Sequence, residues 1–246
     1  MHTENIDRRT ILRATAAAGV ALPAAAPTTA AGSAGPRIAL LLFDGITAMD
    51  AIGPYEVLSR IPGASVLTVG KRRGAVRTET GAITLGVARA LREVDRADVL
   101  LVPGGGVADV QADPETIHWI QRLHRHTTWT VAVCTGALIL GTAGLLRGLP
   151  ATTYWALTDR LASFGATYVP RRFVEAGKIM TSAGVSAGID LALHLTARLT
   201  DERTARAAQL VVEYDPDPPF DSGSPDKAGP DLRRYALELL QGSIRP

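Results

Sequence analysis

One cysteine occurs among the 246 residues, Cys134. It stands where a β-branched apolar run, Thr130-Val131-Ala132-Val133, gives way to the small, helix-forming run Thr135-Gly136-Ala137-Leu138. A side chain on such a strand-to-helix turn projects over the sheet edge, with the first N–H groups of the helix pointing the same way. Those N–H groups favour negative charge, so a thiol there is expected to ionise more easily than a free one and to act as a nucleophile. The plainer role for a lone cysteine is that of a small buried packing residue. Two other stretches carry chemistry directly after apolar runs. Residues 44–50 follow the run 37–43 and contain Asp50, a candidate acid or base whose simpler role is a helix N-cap. Pro103-Gly104-Gly105-Gly106 follows the run 98–102. Consecutive glycines can turn their N–H groups into a concave, oxyanion-type lining, or can simply make a turn. No Gly-Lys-Ser/Thr follows and no G-x-G-x-x-G is present, so nucleotide-phosphate loops are excluded.

These three stretches matter only if one scaffold brings them together. Residues 37–43 form a continuous apolar run, as in a strand buried on both faces. Residues 49–60 read as a helix, 65–69 as a strand, 76–85 as a short hairpin, and 98–102 as a second buried strand. Asp113-Pro114-Glu115 starts a helix running to about 126, with Asp113 as N-cap and Pro114 at the first helical position. Residues 130–133 make the strand that feeds Cys134, and 136–146 the helix behind it. Residues 162–168 turn from helix to strand, 178–181 form another strand, and 186–200 and 201–213 are helices. Residues 215–230, rich in Pro, Asp, Gly and Ser, read as a loop or covering strap before a closing helix at 231–241. Alternation of strand and helix predicts an α/β fold with a doubly wound, mostly parallel sheet and helices on both faces. Functional groups in such sheets gather at the carboxyl ends of the strands. Cys134, Asp50 and the glycine run are therefore expected to share one crevice.

Composition sets the bounds. Apolar residues are 46% and charged residues 20%, with a formal net charge of +2, an ordinary globular balance. No Lys/Arg block argues for nucleic acid, and a single cysteine allows neither an intrachain disulfide nor a cysteine-based zinc site. Residues 1–35 read differently from the rest. Asp7-Arg8-Arg9-Thr10-Ile11-Leu12 carries a twin-arginine pair, followed by a mildly apolar, Ala-rich stretch and a small-residue region near Thr29 to Ala34. This is the layout of a twin-arginine (Tat) signal peptide and linker, predicting export to the cell envelope or beyond and leaving 36–246 as one catalytic domain. The stretch is too short and too rich in Ala for a stable membrane span.

Val102-Pro103-Gly104-Gly105 together with Val133-Cys134-Thr135-Gly136 resembles the DJ-1/PfpI superfamily, whose fold is that of class I glutamine amidotransferases. Several stretches resemble its isonitrile (isocyanide) hydratase branch: 49–58, 134–146, Ala151-Thr152-Thr153-Tyr154-Trp155-Ala156, 186–190, and the strap Pro218-Pro219-Phe220-Asp221-Ser222-Gly223-Ser224-Pro225. The resemblance spans roughly residues 37–226. It implies that Cys134 is the nucleophile and Asp50 the acid working beside it, with Thr135, Gly104, Gly105 and Val185 lining the substrate position. It implies no cofactor, a small-molecule substrate and a homodimer. Thr135 occupies the position where protease-like members carry His, so the thiol–imidazole pairing of a peptidase is missing. Tyr154 stands where the family usually has His, and Ser182-Ala183-Gly184 replaces a more Gly-rich run.

The implied reaction adds water to an isocyanide. Asp50, with a raised pKa in an apolar crevice or sharing a proton with the thiol, protonates the isocyanide carbon while sulfur attacks it, and water releases an N-substituted formamide. Two other readings stay open: a glyoxalase- or amidase-like enzyme on the same cysteine, and a non-enzymatic ligand- or redox-sensing module. The remaining signals are weak. His118, His124 and His126 read as a solvated helix surface, and His194, four residues after Asp190, as a partly buried histidine whose alternative role is that of a base. Trp119 and Trp129 read as packing residues. Trp155 is a candidate pocket wall, and Glu213-Tyr214 with the strap a cover over the site or a dimer contact.

Overall fold

The structure, a computed structural model, describes residues 35–243. The twin-arginine stretch and the small-residue region at 29–34 lie outside the described residues. The first half holds β1 (Arg37–Leu41), α1 (Ala48–Leu58), β2 (Ser65–Gly70), β3 (Gly74–Arg77), β4 (Thr84–Val87), β5 (Arg89–Ala90), β6 (Val99–Val102), α2 (Ala108–Gln111) and α3 (Pro114–His126). The second holds β7 (Trp129–Ala132), α4 (Gly136–Thr142), β8 (Pro150–Ala151), α5 (Arg160–Ser163), β9 (Thr167–Tyr168), β10 (Phe173–Ala176), β11 (Ile179–Ser182), α6 (Ala187–Leu199), α7 (Glu202–Val211) and α8 (Pro230–Ser243).

Seven strands form the central sheet in the order β10-β11-β7-β6-β1-β2-β5, parallel throughout except for the antiparallel edge strand β10. The continuous apolar strands follow from burial on two sides. Successive residues point to opposite faces, so Ala39 and Leu41 join one core with Trp119, Ile120 and Leu138, from α3 and α4. Ile38 and Leu40 join the other with Val57, Leu58, Leu191 and Leu195, from α1 and α6. A one-sided sheet would have shown polar residues at every second position.

The chain runs outward from β1 through β2 to β5, then returns beside β1 and runs the other way through β6, β7 and β11. The order reverses between β1 and β6, and the carboxyl ends there leave the crevice that such a reversal creates. The segments after β1, β6, β7 and β11 are those holding Asp50, Gly104, Cys134 and Val185.

Short elements escaped the sequence reading. The two-residue strands β5 and β8 carry too little pattern to register, and β10, Phe-Val-Glu-Ala, is half exposed at an edge. The helix read to 146 ends at Thr142, and Gly144 follows with φ +75°, a left-handed conformation suited to glycine after a helix end. Asp113 does precede Pro114 at the start of α3, but its carboxylate takes the Thr116 hydroxyl (2.6 Å) and the Lys71 ammonium (2.9 Å) rather than a helix N–H.

Candidate active site

Four buried residues, Trp129–Ala132, carry the chain up β7 to Cys134, whose backbone adopts φ +57°. A non-glycine residue in this region is strained, and the strain points its side chain away from both the strand and the helix that follows. Hydrogen bonds on both sides hold the turn. The Cys134 N–H donates to the Ala183 carbonyl (3.2 Å), and the Cys134 carbonyl accepts from the Thr153 hydroxyl (2.9 Å). The thiol is only 4% exposed.

Asp50 is the third residue of α1, not its cap. Thr47 holds the cap position, and Asp50 turns inward to complete burial. Its Oδ2 accepts the Gly104 N–H at 2.9 Å, while the Gly104 carbonyl takes the Thr47 N–H at 3.0 Å. The turn after β6 therefore grips both the entry of α1 and its carboxylate. A side chain at Gly104 has no room: its Cβ would lie 2.5 Å from Thr135 Oγ1 and 2.8 Å from Asp50 Oδ2. The second carboxylate oxygen, Oδ1, is buried without a hydrogen-bond partner. A buried oxygen left in this state costs free energy unless a reactant or proton completes it.

The electrostatics follow from burial. Desolvation raises the Asp50 carboxyl from its ordinary 3.8 to about 7; the Gly104 N–H and the Cys134 thiol pull it down, and the charge of Glu79 pushes it further up. Burial also raises the thiol, and the Asp50 charge adds to this, against the lowering effect of the Val185 and Thr135 N–H groups aimed at sulfur. The N–H groups expected to ease ionisation are thus present, but desolvation outweighs them and the thiol is harder, not easier, to ionise. Carboxyl and thiol titrate as a pair.

The glycine run is also differently employed. Gly104 spends its N–H on Asp50, and Gly105 donates to Thr135 Oγ1 (2.8 Å), whose hydroxyl in turn donates to the Gly105 carbonyl (3.0 Å). No oxyanion lining is left at these two amides, because they already hold the acid and the residue after the cysteine. Gly104, Gly105 and Thr135 support the thiol–carboxyl pair from the buried side. Val185 alone of the four expected lining residues reaches the open side, in a cleft of about 340 Å³ with Thr153, Tyr154, Trp155 and Tyr168 and the strap residues Gly223 to Asp226.

Sequence reasoning missed Thr153, whose hydroxyl pins the cysteine turn, and Glu79, whose charge reaches Asp50 from beyond the β3 edge. Both work through distant segments, and no local pattern marks them. His194 lies away from the pair and bonds Glu175 at 2.7 Å. His124 is not on a solvated surface. It is half-buried against the Thr130 hydroxyl (2.8 Å), and burial and Lys178 lower it to about 4. Among the described residues, no cluster of His, Cys, Asp and Glu could hold a metal ion, and no helix is long and apolar enough to cross a membrane.

A doubly wound sheet with a strained cysteine elbow facing a buried carboxyl across its reversal point defines a family: a model of the DJ-1/PfpI family matches residues 36–198, and the chain belongs to it. The isonitrile hydratase of Pseudomonas putida is 42% identical over 193 residues, covering 78% of this chain and 84% of that enzyme. The crystal structure of a ThiJ/PfpI family protein from Pseudomonas syringae aligns with a TM-score of 0.81 at 35% identity, over 90% of this chain and 93% of that one. Drosophila melanogaster DJ-1beta shares the fold, with a TM-score of 0.67 at 22% identity over 74% of this chain and 100% of that one.

Proposed function

We propose that this enzyme hydrates isonitriles to N-substituted formamides, with Cys134 as nucleophile and Asp50 as the group that moves the proton. The observation that carries the reading is the buried carboxyl–thiol pair, with Asp50 Oδ1 unpartnered and its carboxyl raised to about 7. The similarity to the Pseudomonas putida isonitrile hydratase supports it. An isonitrile is neutral and linear, so its terminal carbon can reach a sulfur that is only 4% exposed. That carbon carries a lone pair and becomes electrophilic once protonated. Asp50, as carboxylate, takes the thiol proton and delivers it to carbon while sulfur forms the C–S bond, leaving the thioimidate Cys–S–CH=N–R. Water then adds to the same carbon, and loss of the sulfur yields the formamide and restores the thiol. The residue beside Cys134 contributes no imidazole, and the Thr135 hydroxyl is occupied by Gly105.

Incubating the protein with cyclohexyl isonitrile should yield N-cyclohexylformamide, and Cys134→Ala should abolish it. Equal yields from the two proteins would overturn the reading. Export through the twin-arginine route and homodimerisation belong to the same proposal. The sequence of residues 1–35 supports the first, and the apolar side chains Met49, Ile52 and Tyr55, 39–45% exposed on α1, support the second. Replacing Arg8 and Arg9 with Lys should retain the protein in the cytoplasm. Sedimentation of the purified protein should give twice the mass of one chain.

A further inference from the structure

The reaction needs a second proton transfer that Asp50 is badly placed to make. When water attacks the thioimidate, the substrate nitrogen must gain a proton. Asp50 lies on the buried side of the sulfur, gripped by Gly104. With the isonitrile carbon on sulfur, the nitrogen and its substituent would extend toward the cleft that Val185 lines. Tyr154 is a side chain with a proton to give on that side, packed with Val185 against the cluster that holds Cys134. It follows Thr153, whose hydroxyl bonds the Cys134 carbonyl at 2.9 Å. Its ring lies against Gly184, where a Cβ would come within 2.7 Å of Cδ2, and the next residue, Val185, aims its N–H at the sulfur. Tyr154 is thus held between two segments that both touch Cys134. Its ring is half-buried in the cleft wall, beside Trp155 at 5.6 Å between ring centroids. Of the neighbouring hydroxyls, Thr153 spends its proton on the Cys134 carbonyl at 2.9 Å, and Ser186 accepts from Arg172 at 3.2 Å. Burial raises the phenol above its ordinary 10, so the proton is in place at neutral pH.

We propose that Tyr154 is a further catalytic residue, donating to the substrate nitrogen during thioimidate hydrolysis; this rests on the isonitrile reading above. The water oxygen bonds to the thioimidate carbon and passes a proton to the Asp50 carboxylate. The C=N π pair moves to nitrogen, which takes the phenolic proton. The C–S bond then breaks as the new hydroxyl returns a proton to the phenolate and becomes the formamide carbonyl. Sulfur leaves with the bonding pair and recovers its proton from Asp50. Every group ends as it began, and no outside reagent besides water enters.

Tyr154→Phe keeps the ring on Gly184 and removes only the hydroxyl. With cyclohexyl isonitrile as probe, its kcat should fall about a hundredfold, within the range of a lost general acid. The rate of thioimidate formation should change less than about threefold. Intact-mass spectrometry should then show the variant accumulating a Cys134 adduct heavier by one isonitrile, absent from the wild-type enzyme at steady state. A merely structural Tyr154 would slow adduct formation and turnover together. That result, or a kcat within about threefold of wild type, overturns the assignment. Wild-type protein that makes no formamide overturns the isonitrile reading itself, whatever Tyr154→Phe does.

Discussion

Replacing Asp50 with Asn should make the protein more stable and nearly inactive, and the gain in stability should depend on pH. The carboxyl is raised from 3.8 to about 7 in the folded chain. A group whose folded pKa lies above its unfolded value binds protons more tightly when folded. Its contribution therefore favours folding at low pH and is lost as pH rises from 3.8 to about 7. At ~1.36 kcal/mol per pH unit, ionising Asp50 costs the folded state on the order of 4 kcal/mol at pH ~8, but less than about 1 kcal/mol near pH ~4. An Asn oxygen can still accept the Gly104 N–H, while its amide leaves a buried group unpartnered where Oδ1 now lies. That costs about 1–3 kcal/mol at either pH. The net expectation is a variant about 1–3 kcal/mol more stable at pH ~8 and about 1–2 kcal/mol less stable at pH ~4. Urea unfolding of both proteins at the two pH values measures the difference, and turnover should fall ~10²–10⁴-fold. A stability difference that is the same at both pH values would refute the burial argument for Asp50.

The pH dependence of kcat/KM follows from the same pair. Below pH about 7 Asp50 is protonated and cannot accept the thiol proton, so kcat/KM should rise through pH about 7 and level off above it; a profile that falls there contradicts the mechanism. Gly104→Ala places a Cβ 2.8 Å from Asp50 Oδ2; displacing the acid should cost about 1–3 kcal/mol of stability and ~10²-fold in turnover. Gly106→Ala, where the nearest contact is 3.7 Å, serves as the control and should leave both unchanged in melting and rate assays. Thr135→Val removes both hydrogen bonds that tie Gly105 to the elbow, which should cost about 1–3 kcal/mol and lower Tm by several degrees in calorimetry.

Much of the scaffold could be read from the chain because its signals are local. Val99–Val102 is apolar at every position, and Trp129–Ala132 is buried at every position, only because both faces of the sheet are covered. A run of that kind, alternating with helices such as α3, leaves few other folds open. Cys134 and Asp50 stood out for the same reason, since each follows the end of a buried strand, and α/β sheets place chemistry there. The two-residue strands β5 and β8 and the edge strand β10 were hidden because pairing and position, not composition, create them.

Residue type and order were enough to establish that Cys134 and Asp50 share a crevice in a doubly wound fold. The state of those groups was a tertiary decision. Folding seals the thiol to 4% exposure and the carboxylate completely, so desolvation overrides the N–H groups of the elbow and raises both pKa values. The glycine run looked free in the sequence, yet its two amides are consumed by Asp50 and Thr135, brought there from 54 and 30 residues away. Burial and hydrogen-bond partners are set by segments distant in the chain, and the windows in which sequence patterns are legible do not reach that far.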